Sequence, residues 1–478
     1  MKTIYKYLAF AALTISIQAC EKELSALPKN SKVDEITILD QATAQTALNG
    51  AYYTFANATQ IKTDWQDHQI IPSSLAGYLG YGFGTQPYEE NRNGSLSTFW
   101  TESYVLLNTT NGVLKGLNAL ADNKFTGNRK KEMIAEAHFL RAYAHFKLLS
   151  YYGEWFKPTS TLGILLRDEL STLSNIDKSR STVAESYNAI LTDLDDAIAN
   201  APTTNANYYA TNWAAMALKM RVLMSRGQTA DYAAVISLAN AITTTSTYVL
   251  ENNAEDIFHT KGLSSKEVIL GIQPQALQTT DPYSKSKQYW PGASALYVAK
   301  PALRTLYAND PRLNWMIGSP NPSTSSPNTY YFSKYYKENT APSTLSETDY
   351  AIRLTEIYLL KAEAIVRSGG SLSDAKALVH TIQSKAGITV TVNNTNYLAV
   401  ENAGTADVLL VEIYKETVRS LVAEDGMDWM ALLRLPFATV QQIKPTITNQ
   451  IQYILPVPLD EFKYNPSFGD QNPGYSRN

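Results

Sequence analysis

The 478-residue chain carries 41 Lys+Arg against 44 Asp+Glu, and 44% of it is hydrophobic. That length allows two to four domains or one large one, and the apolar content excludes disorder over most of it. The longest basic run is Arg129-Lys130-Lys131, too little for a nucleic-acid groove. The single cysteine, Cys20, excludes a disulfide framework and a thiolate metal cage. The 31 tyrosines dominate an 11% aromatic content, which suits amphipathic contact surfaces.

Lys2 and Lys6 precede a mostly apolar stretch from Tyr7 to Ile17, shorter than the roughly 20 residues that span a bilayer. Ile17-Gln18-Ala19-Cys20 resembles a bacterial lipobox. Residues 1–19 therefore read as a lipoprotein signal peptide, with Cys20 as the lipidated residue and 20–39 as a lipidated tether. Acyl chains on Cys20 would anchor the chain to outer-membrane lipid. An ordinary secretory signal with an incidental cysteine is the competing reading. Loss of residues 1–19 would take the net charge from −3 to −5.

From Ala42 to Phe55, apolar residues three and four apart predict an amphipathic helix. Between 60 and 95 the period fails. Gly77, Gly80, Gly82 and Gly84 alternate with Tyr78, Tyr81 and Phe83, which predicts a long aromatic loop. Helical periods return over 97–121, 129–152, 181–200, 211–226, 230–245, 350–368, 371–386 and 406–423. In 129–152, Ala135, Phe139, Ala142, Phe146 and Leu149 share a face, with Gly153 as the stop. Helices followed closely by a second helix resemble tetratricopeptide pairs, whose small residues, such as Ala217 and Ala362, allow close packing. An irregular all-helical protein would show similar spacing. Nine of the 20 prolines fall in 274–342, together with Tyr283, Tyr289, Trp290, Tyr297, Trp315, Tyr330 and Tyr331, so a loop-rich, mostly irregular insertion is expected over 274–349. The organisation is then a helical-repeat region over 40–273, that insertion, and a final helical-repeat pair with an irregular end over 350–478.

Catalytic signatures are missing. There is no His-Glu-x-x-His, P-loop or G-x-S-x-G segment. His138 and His145 share a helix face without a third ligand, so packing or surface roles are expected and no metal or cofactor. Asp193, Asp195 and Asp196 read as a solvated helix face.

Several segments together are similar to the SusD/RagB family of outer-membrane nutrient-binding lipoproteins. They are Ala47-Leu48-Asn49-Gly50-Ala51-Tyr52; Glu136 to Ala142 with Tyr152-Gly153; Asp193 to Ala197 ahead of Pro202; Trp213 to Arg221; Ile352 to Ala364; and Gln471-Asn472-Pro473-Gly474-Tyr475. They run in order along nearly the whole chain. Glu416, Arg419, Glu424 and Gly426 fit the family's late motif, but Asp428 stands where an Arg is expected, which bears on the packing of the last helix.

The resemblance implies a mainly all-α protein of four tetratricopeptide-like pairs plus a loop-rich subdomain. It also implies a surface lipoprotein, not an enzyme, that passes oligosaccharides or peptides to a SusC-like TonB-dependent transporter. Sugar rings present an apolar C–H face and a hydroxyl rim, so stacking aromatics with polar partners are the expected ligand-binding set. Trp65, Tyr78, Tyr81 and Tyr88, with Asp67, Asn91 and Arg92, supply it from 60–95; Tyr289, Trp290 and Trp315 supply it from the insertion. Each ring could instead pack its own loop. Trp100, Trp155, Trp213 and Trp429 lie in or beside helices and are expected in the core. A surface glycosidase would need two carboxyls about 5–10 Å apart in a cleft, and a bare scaffold would bury Trp65, Trp290 and Trp315.

Overall fold

A computed structural model describes residues 38–84, 96–280, 285–289, 295–320, 329–337, 340–390 and 394–477. The long helices sit where the periodicity puts them, and short polar side chains start them. Asp40 and Thr43 form a reciprocal box at the head of α1 (Gln41–Phe55). After α2 (Gln66–Leu75), α3 (Thr98–Ala119) and α4 (Arg129–Tyr152), Thr182 and Glu185 repeat the device before α5 (Val183–Asn200). Thr211 caps α6 (Asn212–Arg226), which Gly227 ends in the left-handed conformation; α7 (Thr229–Thr245) follows at once. The remaining helices of the stack are α8 (Leu354–Arg367), α9 (Leu372–Lys385), α10 (Thr395–Glu401), α11 (Ala406–Leu421) and α12 (Met427–Leu433).

These helices stack in series: α1 on α3, α3 on α4, and so on through α7. Helix α7 then packs directly on α8, although residues 246–353 separate them. Ala217 and Ala362 are fully buried, consistent with small residues at the close approaches. Helix α4 departs from the one-faced expectation. From Met133 onward it is buried on nearly every side, Glu136, His145 and Lys147 included, so it is the central rod of the stack. Gly153 also ends it differently from the predicted stop. Its backbone is extended, and a Cβ there would meet Leu149 Cδ1 at 2.7 Å. Close packing, not a left-handed turn, requires the glycine.

The irregular regions hold more structure than their sequence predicts. Residues 60–95 contain helix α2 and strand β1 (Leu79–Tyr81). Strand β2 (Val268–Ile272) pairs antiparallel with β6 (Asp349–Arg353), so the expected helix start at 350 is a strand. Strands β3 (Tyr297–Ala299), β4 (Ile317–Pro320) and β5 (Tyr330–Phe332) join β1 in a four-stranded antiparallel sheet ordered β1-β3-β5-β4. One small sheet thus joins the two aromatic-rich regions, and the protein as a whole is mainly helical.

Helix α2 lacks a hydrophobic period because its polar side chains are the buried ones. His68 lies 3.3 Å from Glu102 and 3.4 Å from Asp425. Gln69 bonds Asp349 and accepts from the Tyr289 hydroxyl at 2.8 Å. Ser73 Oγ donates to Asp428 and accepts from the Ala423 amide. Hydrogen bonding offsets the cost of burying these groups.

Candidate ligand-binding cleft

The late motif builds a buried charge hub rather than a ligand surface. The turn between α11 and α12 takes left-handed backbone at Ala423 (φ 61°), Asp425 (φ 47°) and Gly426 (φ 80°). Asp425 accepts from Tyr143 Oη at 2.8 Å, Lys147 Nζ at 2.6 Å and Arg221 Nη1 at 2.6 Å. Burial alone would raise its carboxyl; Lys147, His68 and Arg221 outweigh that and hold it far below the usual carboxylate range. Glu424 pairs with Lys334 and with Arg353 at 2.6 Å, and Glu416 pairs with Arg312 at 2.6 Å. At the departure from the family pattern, Asp428 is fully buried, and burial pushes its carboxyl up to about 6. Helix α12 forms all the same, with Trp429 in the core.

The aromatic candidates divide into interior and cleft. Trp65 is 1% exposed; its indole N–H donates to the Phe55 carbonyl at 2.9 Å and its ring stacks on His68 at 4.4 Å. Tyr78 is buried with its hydroxyl 2.6 Å from that of Tyr414, and Tyr289 is buried against Tyr297, Phe332 and Tyr335. These three correct the expectation of open stacking rings: each fills space under its own loop and satisfies its polar atom indoors. Tyr81 is half-buried at the edge of the small sheet, beside Tyr297. Asp67 is half-buried on the first turn of α2, where burial and then Glu102 and Asp64 raise its carboxyl to about 6. Tyr88, Asn91, Arg92, Trp290 and Cys20 lie outside the described residues. Trp100, Trp155 and Trp429 are buried, and Trp213 is half-buried.

One other expectation changes, that for Asp193, while the two histidines take packing and surface roles. Asp193 is not solvated: Arg141 grips it through Nε and Nη2 at 2.8 and 2.7 Å. His138 pairs with Asp196 at 2.7 Å, and His145 is buried and held neutral to about pH 4 by desolvation. Among the described residues, no cluster of His, Cys, Asp and Glu could hold a metal ion.

Trp315 alone of the predicted tryptophans lines an open cleft among the described residues. The cleft is about 570 Å³ and includes Glu255, His259, Arg304, Asn314, Ser333 and Lys337, a size typical of small-ligand sites. The half-buried indole is backed by Phe258, with ring centres 5.8 Å apart and planes 29° apart. His259 meets it edge-on at 5.8 Å. His259 Nε2 donates to the Ser333 carbonyl at 3.1 Å, and Nδ1 lies 3.0 Å from Glu255. Arg304 lies over the Tyr330 ring at 4.9 Å and is exposed, as is Lys337. The result is an aromatic floor with a rim of amide, carboxylate and cationic groups. The rim could not be read from sequence, because Glu255, Arg304 and Lys337 come from separate segments with no shared spacing.

Comparison with known proteins agrees with this architecture. Residues 21–224 match the family described as "Starch-binding associating with outer membrane", and 314–435 match the SusD family. SusD-like protein P38 of Formosa agariphila is 24% identical over 87% of this chain and 88% of its own. A SusD superfamily structure from Bacteroides thetaiotaomicron superposes with a TM-score of 0.72 at 21% identity, covering 91% of this chain and all of that one. A laminarin-binding SusD-like protein does so with a TM-score of 0.68 at 19% identity, over 91% of this chain and all of its own. Both matched segments point to one family, and the chain belongs to it: the SusD/RagB family.

Proposed function

We propose that this protein is a lipid-anchored surface receptor that captures oligosaccharides in the Trp315 cleft and delivers them to a SusC-like TonB-dependent transporter, without cleaving them. The carrying observation is the half-buried indole, backed by Phe258 and rimmed by Glu255, Arg304 and Asn314. An indole face stacks on the C–H face of a sugar, and the rim reaches its hydroxyls. A peptide reading calls for buried charges to meet the chain termini, whereas Arg304 and Lys337 are exposed. Glycoside hydrolysis needs two carboxyls, and Glu255 is the carboxylate among the cleft's described lining. The laminarin-binding relative supports a glycan ligand, and the lipobox at Cys20 supports the anchor. Among the described residues no helix is long and apolar enough to cross a membrane.

The test is calorimetric titration of the purified protein with a panel of β-glucan, α-glucan and other plant and algal oligosaccharides, with chromatography of the products. Binding without cleavage, weakened at least tenfold by Trp315→Ala, is the expected result. Cleavage of any panel member, or affinity unchanged in Trp315→Ala, overturns the reading.

A further inference from the structure

A second, smaller cleft of about 170 Å³ opens where the C-terminal turn of α1, the 205–210 turn and the chain leaving β2 meet. It shares no lining residue with the Trp315 cleft. Three phenol rings are presented to it. Tyr53 is 41% exposed, and Tyr208 and Tyr209 are half-buried. Their polar company is a set of amides, Asn49, Gln273 and Gln275; no charged side chain lines the cleft among the described residues.

The rings are held in place before any ligand arrives. The Tyr52 hydroxyl accepts from the Ala210 amide at 2.8 Å and donates to Glu136 at 2.8 Å. The Tyr52 ring meets Tyr209 edge-on at 4.7 Å, and Tyr209 in turn supports Tyr208 at 4.8 Å. On the other side the Gly271 amide donates to the Asn207 carbonyl at 2.7 Å. A Cβ at Gly271 would come within 3.2 Å of the Asp349 carbonyl, so this approach depends on the glycine. The side-chain amides of Gln273 and Gln275 and the hydroxyls of Tyr53 and Tyr208 bond no group among the described residues, which leaves them for a ligand.

The chemistry selects the occupant. An ionised ligand would find no counter-charge here, and an acyl chain would strand the amides and hydroxyls. A neutral sugar ring satisfies both sets, stacking its C–H face on a phenol and bonding its hydroxyls to amides. The volume is below the range of about 300–1,000 Å³ that takes drug-sized ligands, which limits the cleft to about one ring. We propose that it is a second carbohydrate subsite holding a single neutral sugar residue independently of the Trp315 cleft.

Saturation-transfer difference NMR on the purified protein tests this, using methyl glycosides of glucose, galactose, mannose, xylose and N-acetylglucosamine. A Trp315→Ala background isolates the second cleft from the first. At least one glycoside is expected to give ring-proton signals in that background. Tyr53→Ala with Tyr208→Ala should reduce them at least fivefold, and Tyr208→Phe, which keeps the ring, should hold them within twofold. Should the double variant fail to fold by circular dichroism, Tyr53→Ala alone, at an exposed position, serves with the same threshold. Absence of signal from all five glycosides, or signal that survives loss of the phenols, overturns the proposal. Either result is separable from the fate of the Trp315 reading, which rests on oligosaccharide affinity in protein with the second cleft intact.

Discussion

Replacing Asp428 with Asn tests whether the carboxylate standing at the family's Arg position is a burden at neutral pH. Asp428 is fully buried, with Oδ2 accepting from Ser73 and Oδ1 from the Trp429 amide at 3.0 Å. Burial raises its carboxyl from 3.8 to about 6. At about 1.36 kcal/mol for each tenfold change in the protonation equilibrium, the displacement is worth about 3 kcal/mol. The folded protein holds this proton where the unfolded chain has already released it. The associated stability is therefore complete below pH 3.8 and lost as the pH rises through about 6. Asn cannot ionise, so Asp428→Asn escapes that loss. Ser73 Oγ already accepts from the Ala423 amide, so its own hydrogen must point at residue 428, and the Asn carbonyl has to take that place. The Asn amino group then faces the Trp429 N–H, at a cost of about 1 kcal/mol. Urea unfolding at pH 4, 6 and 8 should show the variant slightly weaker than or equal to the parent at pH 4. At pH 8 it should be more stable by about 2 kcal/mol. A difference independent of pH, or one that turns against Asn as the pH rises, would refute the reasoning.

Lys334→Met removes a cation that is fully buried and bonded to Glu424 and to the Val422 carbonyl. Glu424 keeps Arg353 at 2.6 Å, so the loss, with the Val422 carbonyl left unpaired, should be about 1–3 kcal/mol in urea unfolding, and an unchanged stability would show the Lys334 contacts to be dispensable. Trp65→Ala should cost about 3–5 kcal/mol by opening a cavity beside His68 and Phe55, yet leave oligosaccharide affinity per folded molecule unchanged. Selective loss of affinity without loss of stability would return Trp65 to the ligand site. Gly426→Ala should destabilise by about 1–3 kcal/mol, because φ is 80° there and a Cβ would lie 2.5 Å from Tyr151 Oη; an unchanged melting temperature would contradict that.

The helical stack was legible because its signals are local. The predicted 129–152 is α4 to the residue, and 211–226 differs from α6 by one, since caps and periods lie within a few positions of each other. The small sheet was not legible. Each of β1, β3 and β5 has only three residues, and Tyr81 finds its partner at Tyr297, across most of the fold. Helix α2 was hidden for a different reason. Beside Ile70, Ile71 and Leu75 it buries the polar Gln66, His68, Gln69, Ser73 and Ser74, which a hydrophobic period cannot register, and the partners of His68 and Ser73 sit as far off as Asp425 and Asp428. Aromatic density pointed to a ligand-facing region over 274–349, but most of the described rings there pack in the interior. Phe258, Tyr289, Phe332, Tyr335 and Tyr350 touch one another in a continuous chain. Trp315 reaches the cleft because it sits at the outer end of that chain.

That chain of rings explains why charges were recruited to the interior. Buried ion pairs add little net stability over apolar replacements of the same shape, but a buried charge without its partner costs several kcal/mol. A wrong seating of the insertion on the stack would strand several at once. Arg353, on β6, must reach Glu424 beyond α11 and Glu267 before β2. Lys334, just past β5, must reach the same Glu424, and Arg312 must reach Glu416 on α11. All of these close only in one register. Two of the cations also rest on the ring behind Trp315, with Lys334 Nζ 4.8 Å and Arg353 Cζ 5.3 Å from the Phe258 centre. The cleft floor is thus fixed to the same hub that fixes the insertion. A floor held this way has little freedom left to lose when a ligand stacks on it, and avoiding that loss raises affinity without adding a contact.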